Sequence, residues 1–151
     1  MVAQNAFILG ANSELELAAA GDAGVLRALR SFTGTLLVVF GSSDRPRIST
    51  PLARVGVPGI GVYVEAEEDR TYVCPCNGEV RLQAVANPSS SEVLCRGNHD
   101  APRYVFADGG EDGLIRLAPC KNHSDEELTL LQALVGRATL FGRSAKRAGP
   151  Y

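Results

Sequence analysis

The chain has 151 residues, 45% of them hydrophobic and 21% charged, with a formal net charge of −2. That length predicts one domain that buries its core without staples. The composition excludes intrinsic disorder and a membrane span, and the charge excludes a general attraction to nucleic acid. Sixteen Gly and eight Pro predict many turns, and with only two His any His-containing cluster stands out. The opening Met1–Gly10 stretch has no basic region and only a short apolar run, so it does not read as a signal peptide.

In chain order, Ala6–Leu9 is a short apolar strand and Glu14–Leu17 alternates with period two, as a half-buried strand does. Ala18–Gly24 reads as a connector. Val25–Phe32 fits a strand or a short helix stripe equally, and Thr33-Gly34 suggests a turn. Thr35–Phe40 is the strongest strand, and its unbroken apolar run predicts that both faces are covered. Ser42–Pro46 is a polar loop. Arg47–Pro51 and Ala53–Val57 are extended, and Gly61–Glu65 and Thr71–Cys76 are two strands around an acidic turn expected to be solvated. Asn77-Gly78 is a tight-turn signal leading into Glu79–Val85, which alternates cleanly. Val93–Arg96, Tyr104–Ala107 and Gly113–Leu117 are further short strands. Ser124-Asp125-Glu126-Glu127 has the form of a capping box, and Leu128, Leu131, Leu134 and Val135 follow at helical spacing. The predicted architecture is therefore mainly β: antiparallel sheet layers built from short strands and hairpins, with one C-terminal amphipathic helix from about Ser124 to Val135 packed on them. The domain occupies 1–151, with a core at about 5–136 and a basic tail at 143–151.

The segment Ile48–Glu65, the following Asp69–Leu82 and the upstream runs Ala6–Leu17 and Phe32–Gly41 resemble FecR-type domains. The matching features are the Thr-Pro-x-Ala start at Thr50, the Gly positions Gly56 and Gly59, and the Asp-Arg-Thr start at Asp69. Three motifs point to a bacterial subgroup: Cys74-Pro75-Cys76-Asn77-Gly78, His99-Asp100-Ala101-Pro102-Arg103-Tyr104 and Asn122-His123-Ser124-Asp125. Pro58-Gly59-Ile60 stands where the family has Arg-Gly-Thr. The resemblance implies a β-rich module on the outer side of a bacterial inner membrane. It also implies a protein partner and a role in signalling, since named members relay signals from outer-membrane receptors to a sigma factor.

Cys74, Cys76, His99 and His123 are the candidate metal ligands. On a strand, residues i and i+2 share a face about 6.5–7 Å apart, so two thiolates can converge on one ion. Two Cys and two His would close a tetrahedral zinc site, with Asp100 or Asp125 orienting an imidazole. Cys95 and Cys120 are alternates, Cys120 because it lies three residues before His123. The cysteines alternatively form a disulfide or pack as small buried hydrophobes. Asp108–Gly113 and Gly56–Gly61 superficially resemble calcium and phosphate loops, but a hairpin turn and a plain bend explain them. Arg137, Arg143, Lys146 and Arg147 give a basic tail that reads as solvated or as a contact for anionic lipid or an acidic partner.

The expected function is a non-enzymatic sensing or protein-interaction module with a structural zinc, with no nucleic acid partner. The alternatives are a metal-dependent or thiol hydrolase using the same Cys/His residues, and a self-assembling subunit joined through Thr35–Phe40.

Overall fold

A computed structural model describes residues 5–20, 25–41, 46–57, 61–95 and 102–135. Among these residues eleven strands and one α-helix follow in order: β1 Asn5–Leu9, β2 Glu14–Ala20, β3 Val25–Phe40, β4 Arg47–Ser49, β5 Ala53–Gly56, β6 Gly61–Ala66, β7 Arg70–Asn77, β8 Glu79–Ala84, β9 Ser91–Cys95, β10 Arg103–Phe106, β11 Ile115–Leu117 and α1 Asp125–Leu134, with a short 3-10 turn at Gly110–Asp112. They form two layers joined through β3. The second half of β3 pairs with β1 and β6, and the layer continues through β7, β10 and β11. The first half pairs with β2 and β4, and that layer continues through β5, β8 and β9. All pairings are antiparallel except β3–β4. The predicted mainly β layers with one terminal helix are what the chain forms.

The sequence misplaced two corners. Thr33-Gly34 does not end a strand; it lies inside β3, where Gly34 at φ +88° bends the strand from one layer into the other. A side chain is excluded there, because a Cβ would sit 2.7 Å from the Ser13 Cα. The Ser13 hydroxyl accepts a hydrogen bond from the Thr35 amide at 2.9 Å, so the β1–β2 corner nests against the same bend. Val25–Phe32 is accordingly strand, and the expected connector at Ala18 is the end of β2, with 21–24 outside the described residues. Asn77-Gly78, with Gly78 at φ +87°, is no hairpin either. It carries the chain from β7 in one layer to β8 in the other, because β8 pairs with β5 and β9. A hairpin would have kept Val80, Leu82 and Ala84 in the β7 layer, whereas the corner lets them meet Val62, Val64 and Val73 across a common core.

That inter-layer core also holds Leu36, Val38, Phe40, Ile48 and Val55. Each of the fully buried side chains among these removes about 1.5–3 kcal/mol worth of apolar surface from water. Polar ties cross between the layers: the Thr50 and Thr71 hydroxyls meet at 2.8 Å, and Arg103 pairs with Glu92 at 2.8 Å.

A second apolar cluster lies on the far face of the β1/β3/β6/β7/β10 layer. Leu37, Val39, Tyr63, Tyr72, Cys74 and Cys76 face Leu128 and Leu131 of α1. The helix starts as predicted. Ser124 caps it, its hydroxyl accepting from the Glu127 amide at 3.3 Å while the Glu127 carboxylate accepts from the Ser124 amide at 3.0 Å. Gly61 admits the helix closely, since a Cβ there would lie 3.2 Å from Leu128 Cδ1. Thr35–Phe40 is a central strand with both faces covered, as its composition predicted, so it has no free surface for self-assembly.

Candidate metal centre

The site begins with strand alternation. In β7, Thr71 and Val73 point into the inter-layer core, so Tyr72, Cys74 and Cys76 point to the helix side. Cys74 pairs in register with Tyr63 of β6, and Tyr72 pairs with Glu65. The helix-side surface of these strands therefore carries two thiols flanked by two tyrosines and a carboxylate. β7 is an internal strand, between β6 and β10. Pro75 is tolerated because the pairing with β10 starts only at Val73.

Residues 118–123 lie across this surface and are tied down by hydrogen bonds. The Tyr72 hydroxyl donates to the Pro119 carbonyl at 2.8 Å and accepts from the Lys121 amide at 3.1 Å. Glu65 is 4% exposed, not part of a solvated acidic turn. Its carboxylate pairs with Lys121 Nζ at 2.7 Å and accepts from Asn122 Nδ2 at 2.7 Å and from the Tyr63 hydroxyl at 2.6 Å. Burial alone would raise its pKa, but these three donors outweigh that and hold it below the ordinary value of 4.5. Asn122 takes a left-handed conformation at φ +58°, and the next residue is delivered onto the strand surface.

That residue is His123. Its ring stacks on Tyr63, with centroids 4.2 Å apart and planes 18° from parallel. Nδ1 lies 2.6 Å from the Lys121 carbonyl oxygen. A carbonyl only accepts, so Nδ1 carries the proton and the neutral ring keeps its lone pair on Nε2. The ligand atoms of Cys74, Cys76 and His123 all lie within 4.8 Å of one another. Tetrahedral zinc spaces its Cys and His ligand atoms about 3.3–3.8 Å apart, so closure onto an ion needs a contraction of about 1 Å. The donor chemistry fits zinc: two thiols, and an imidazole whose other nitrogen is held by a carbonyl, the usual arrangement for a ligating His. The orienting group is thus the Lys121 carbonyl, where the sequence suggested Asp100 or Asp125.

Electrostatics describe the same crowding. The hydrogen bond to Cys74 and then burial push the Cys76 thiol well above its ordinary value. Burial and then repulsion from Cys74 raise Cys120. Burial disfavours the His123 cation, but contact with Cys74 and the Lys121 carbonyl outweigh it and raise its pKa. Cys76 and Cys120 are therefore held toward the protonated thiol, and a dication binding them would have to displace those protons.

Of the four predicted ligands, three are brought together, and His99, like Asp100, lies outside the described residues. Cys95 ends β9 in the other layer. Cys120 is exposed and its sulfur is not among the three ligand atoms that lie within 4.8 Å of one another, although Cys74 helps to raise its pKa. Its signal in the sequence was the two-residue gap to His123. The Asp108–Gly113 segment is the loop between β10 and β11, with Arg116 donating to the Gly109 and Gly113 carbonyls at 2.6 and 3.0 Å. Of the Gly56–Gly61 loop, 58–60 lie outside the described residues, as do the basic tail residues from Arg137 on. A groove of about 560 Å³, lined by Arg47, Arg54, Arg81, Gln83, Ser91 and Val93 among others, opens on the outer face of the other layer, on the side of the molecule opposite the thiols.

No family model matches the chain, and no curated protein sequence matches it. Its fold is similar to that of a Parabacteroides distasonis protein provisionally named an anti-sigma factor, solved at 1.65 Å, with a TM-score of 0.50 and 17% identity. The match covers 84% of this chain and 65% of that one. A second structure of that description from the same organism, at 2.50 Å, gives a TM-score of 0.48 and 17% identity over 85% of this chain and 65% of that one. The chain thus spans about two thirds of the length of these proteins. At such identity the likeness concerns the fold, which agrees at that coarse level with the FecR-type resemblance of the sequence.

Proposed function

We propose that this chain is a non-enzymatic regulatory module of the FecR-like kind, sensing or binding a protein partner outside the cytoplasm, with a structural zinc held by Cys74, Cys76 and His123. The observation that carries the zinc reading is the burial of both thiols. Each is 0% exposed, under residues 118–123 and α1, where a substrate has no approach. A hydrolase would need an open coordination position or a cleft beside the nucleophile, and the Arg47/Arg54/Arg81 groove opens on the opposite side. Zinc here would stitch β7 to the segment that leads into α1 and so stabilise the helix layer. The regulatory part is supported by the sequence resemblance and by a fold like that of the provisionally named anti-sigma factor.

Elemental analysis of the purified protein is expected to find about one zinc per chain, and chelation is expected to lower the melting temperature. No zinc uptake on titration, together with a melting temperature indifferent to chelator, overturns the metal reading. Hydrolysis of model esters or peptides that is lost in Cys74→Ser would replace the non-enzymatic reading.

A further inference from the structure

We infer that Cys120 supplies the fourth ligand, making a closed Cys3His zinc site of Cys74, Cys76, Cys120 and His123. This rests on the zinc reading above and settles what completes it. Three donors leave a tetrahedral ion one position short. Cys120 sits between the two residues that the Tyr72 hydroxyl grips, Pro119 through its carbonyl and Lys121 through its amide. Tyr72 and Cys74 project from the same face of β7 two residues apart, so this grip lays the backbone that carries Cys120 over the face that carries Cys74. In sequence the four donors form two short pairs, Cys74-x-Cys76 and Cys120-x2-His123. Each pair comes from one rigid piece of backbone: a strand, and a segment pinned by Tyr72, Glu65 and the helix cap.

The arrangement gives the pairs different roles. Cys74 and Cys76 are buried, whereas Cys120 is at the solvent rim. The ion would enter from the Cys120 side, and each thiol that ligates it would release a proton to solvent. Once closed, the site ties β7 to the residues immediately before the Ser124 cap, so occupancy would govern how firmly α1 is seated.

Cobalt(II) titration of the full chain tests this, because sulfur-to-cobalt charge-transfer absorption scales with the number of thiolates. The wild type is expected to show a tetrahedral three-thiolate spectrum. Cys120→Ser is expected to lose about one third of that absorption and to weaken zinc at least about tenfold, while His99→Ala leaves both unchanged. Cys120 is exposed, so its Ser variant should fold, which circular dichroism checks. A Cys120→Ser protein with the wild-type spectrum and affinity overturns the inference while leaving a three-donor zinc site intact, and so does a loss produced by His99→Ala instead. Failure of the wild type to bind cobalt or zinc at all sinks the zinc reading itself.

Discussion

The two outer faces of this β sandwich follow the same alternation and meet different fates. On the β6/β7 side, Tyr63, Glu65, Tyr72, Cys74 and Cys76 face outward yet are buried, because residues 118–123 and α1 cover them. On the β4/β5/β8/β9 side, Arg47, Arg54, Arg81 and Val93 face outward and stay in water, with Val93 59% exposed. The inner faces of both layers are mainly apolar, apart from the Thr50–Thr71 and Glu92–Arg103 ties. What separates the outer faces is their polar chemistry. Tyr72 and Glu65 present hydrogen-bonding groups that satisfy the backbone and side chains of an irregular segment, so that segment can lie over them without orphaned polar atoms. The arginine face presents charges that need water or a counter-charge, as Arg81 finds in Glu79.

The sharpest way to break the comparison is to remove the cover. Leu128 is 0% exposed and seated over Gly61 and Val39, so Leu128→Ala is expected to lose about 2–5 kcal/mol in urea unfolding. A loss below about 1 kcal/mol would mean that the helix does not close this face.

A smaller effect concerns Glu65. Its folded pKa lies below 4.5, so its contribution is fully present above that value and is lost as the pH falls toward the folded one. The wild type is therefore expected to destabilise through this acid range, and Glu65→Gln should be less stable at neutral pH with a flatter acid limb. Parallel acid limbs in melting experiments would show that the Lys121–Glu65–Asn122 cluster does not hold the segment.

The smallest effect belongs to the open face. Arg54→Gln and Val93→Thr are each expected to change stability by no more than about 0.5 kcal/mol, measured by thermal unfolding. A larger loss from either would show that this face, too, is covered.

Much of the covered face was legible in advance. The capping box at Ser124, the Leu128/Leu131 stripe and the alternation around Cys74 each follow from local spacing, because strand and helix periodicity alone decide which side chains share a face. Cys74, Cys76 and His123 could be nominated by rarity and residue type. Glu65 could not be told from its solvated neighbours, since its partners Lys121 and Asn122 lie more than fifty residues away.

Local spacing in the chain thus determined a mainly β domain with one capped helix, and which residues line each strand face. The tertiary structure decided the corners and which side chains gather around Cys74. Gly34 and Asn77-Gly78 carry equally good signals for ending a hairpin, and only the need to face two apolar layers toward each other turns them into crossings. Likewise a cysteine becomes a neighbour of a distant strand only when a tyrosine hydroxyl fixes the loop that carries it. Contacts between residues far apart in the chain depend on the whole packing arrangement, and no local pattern encodes them.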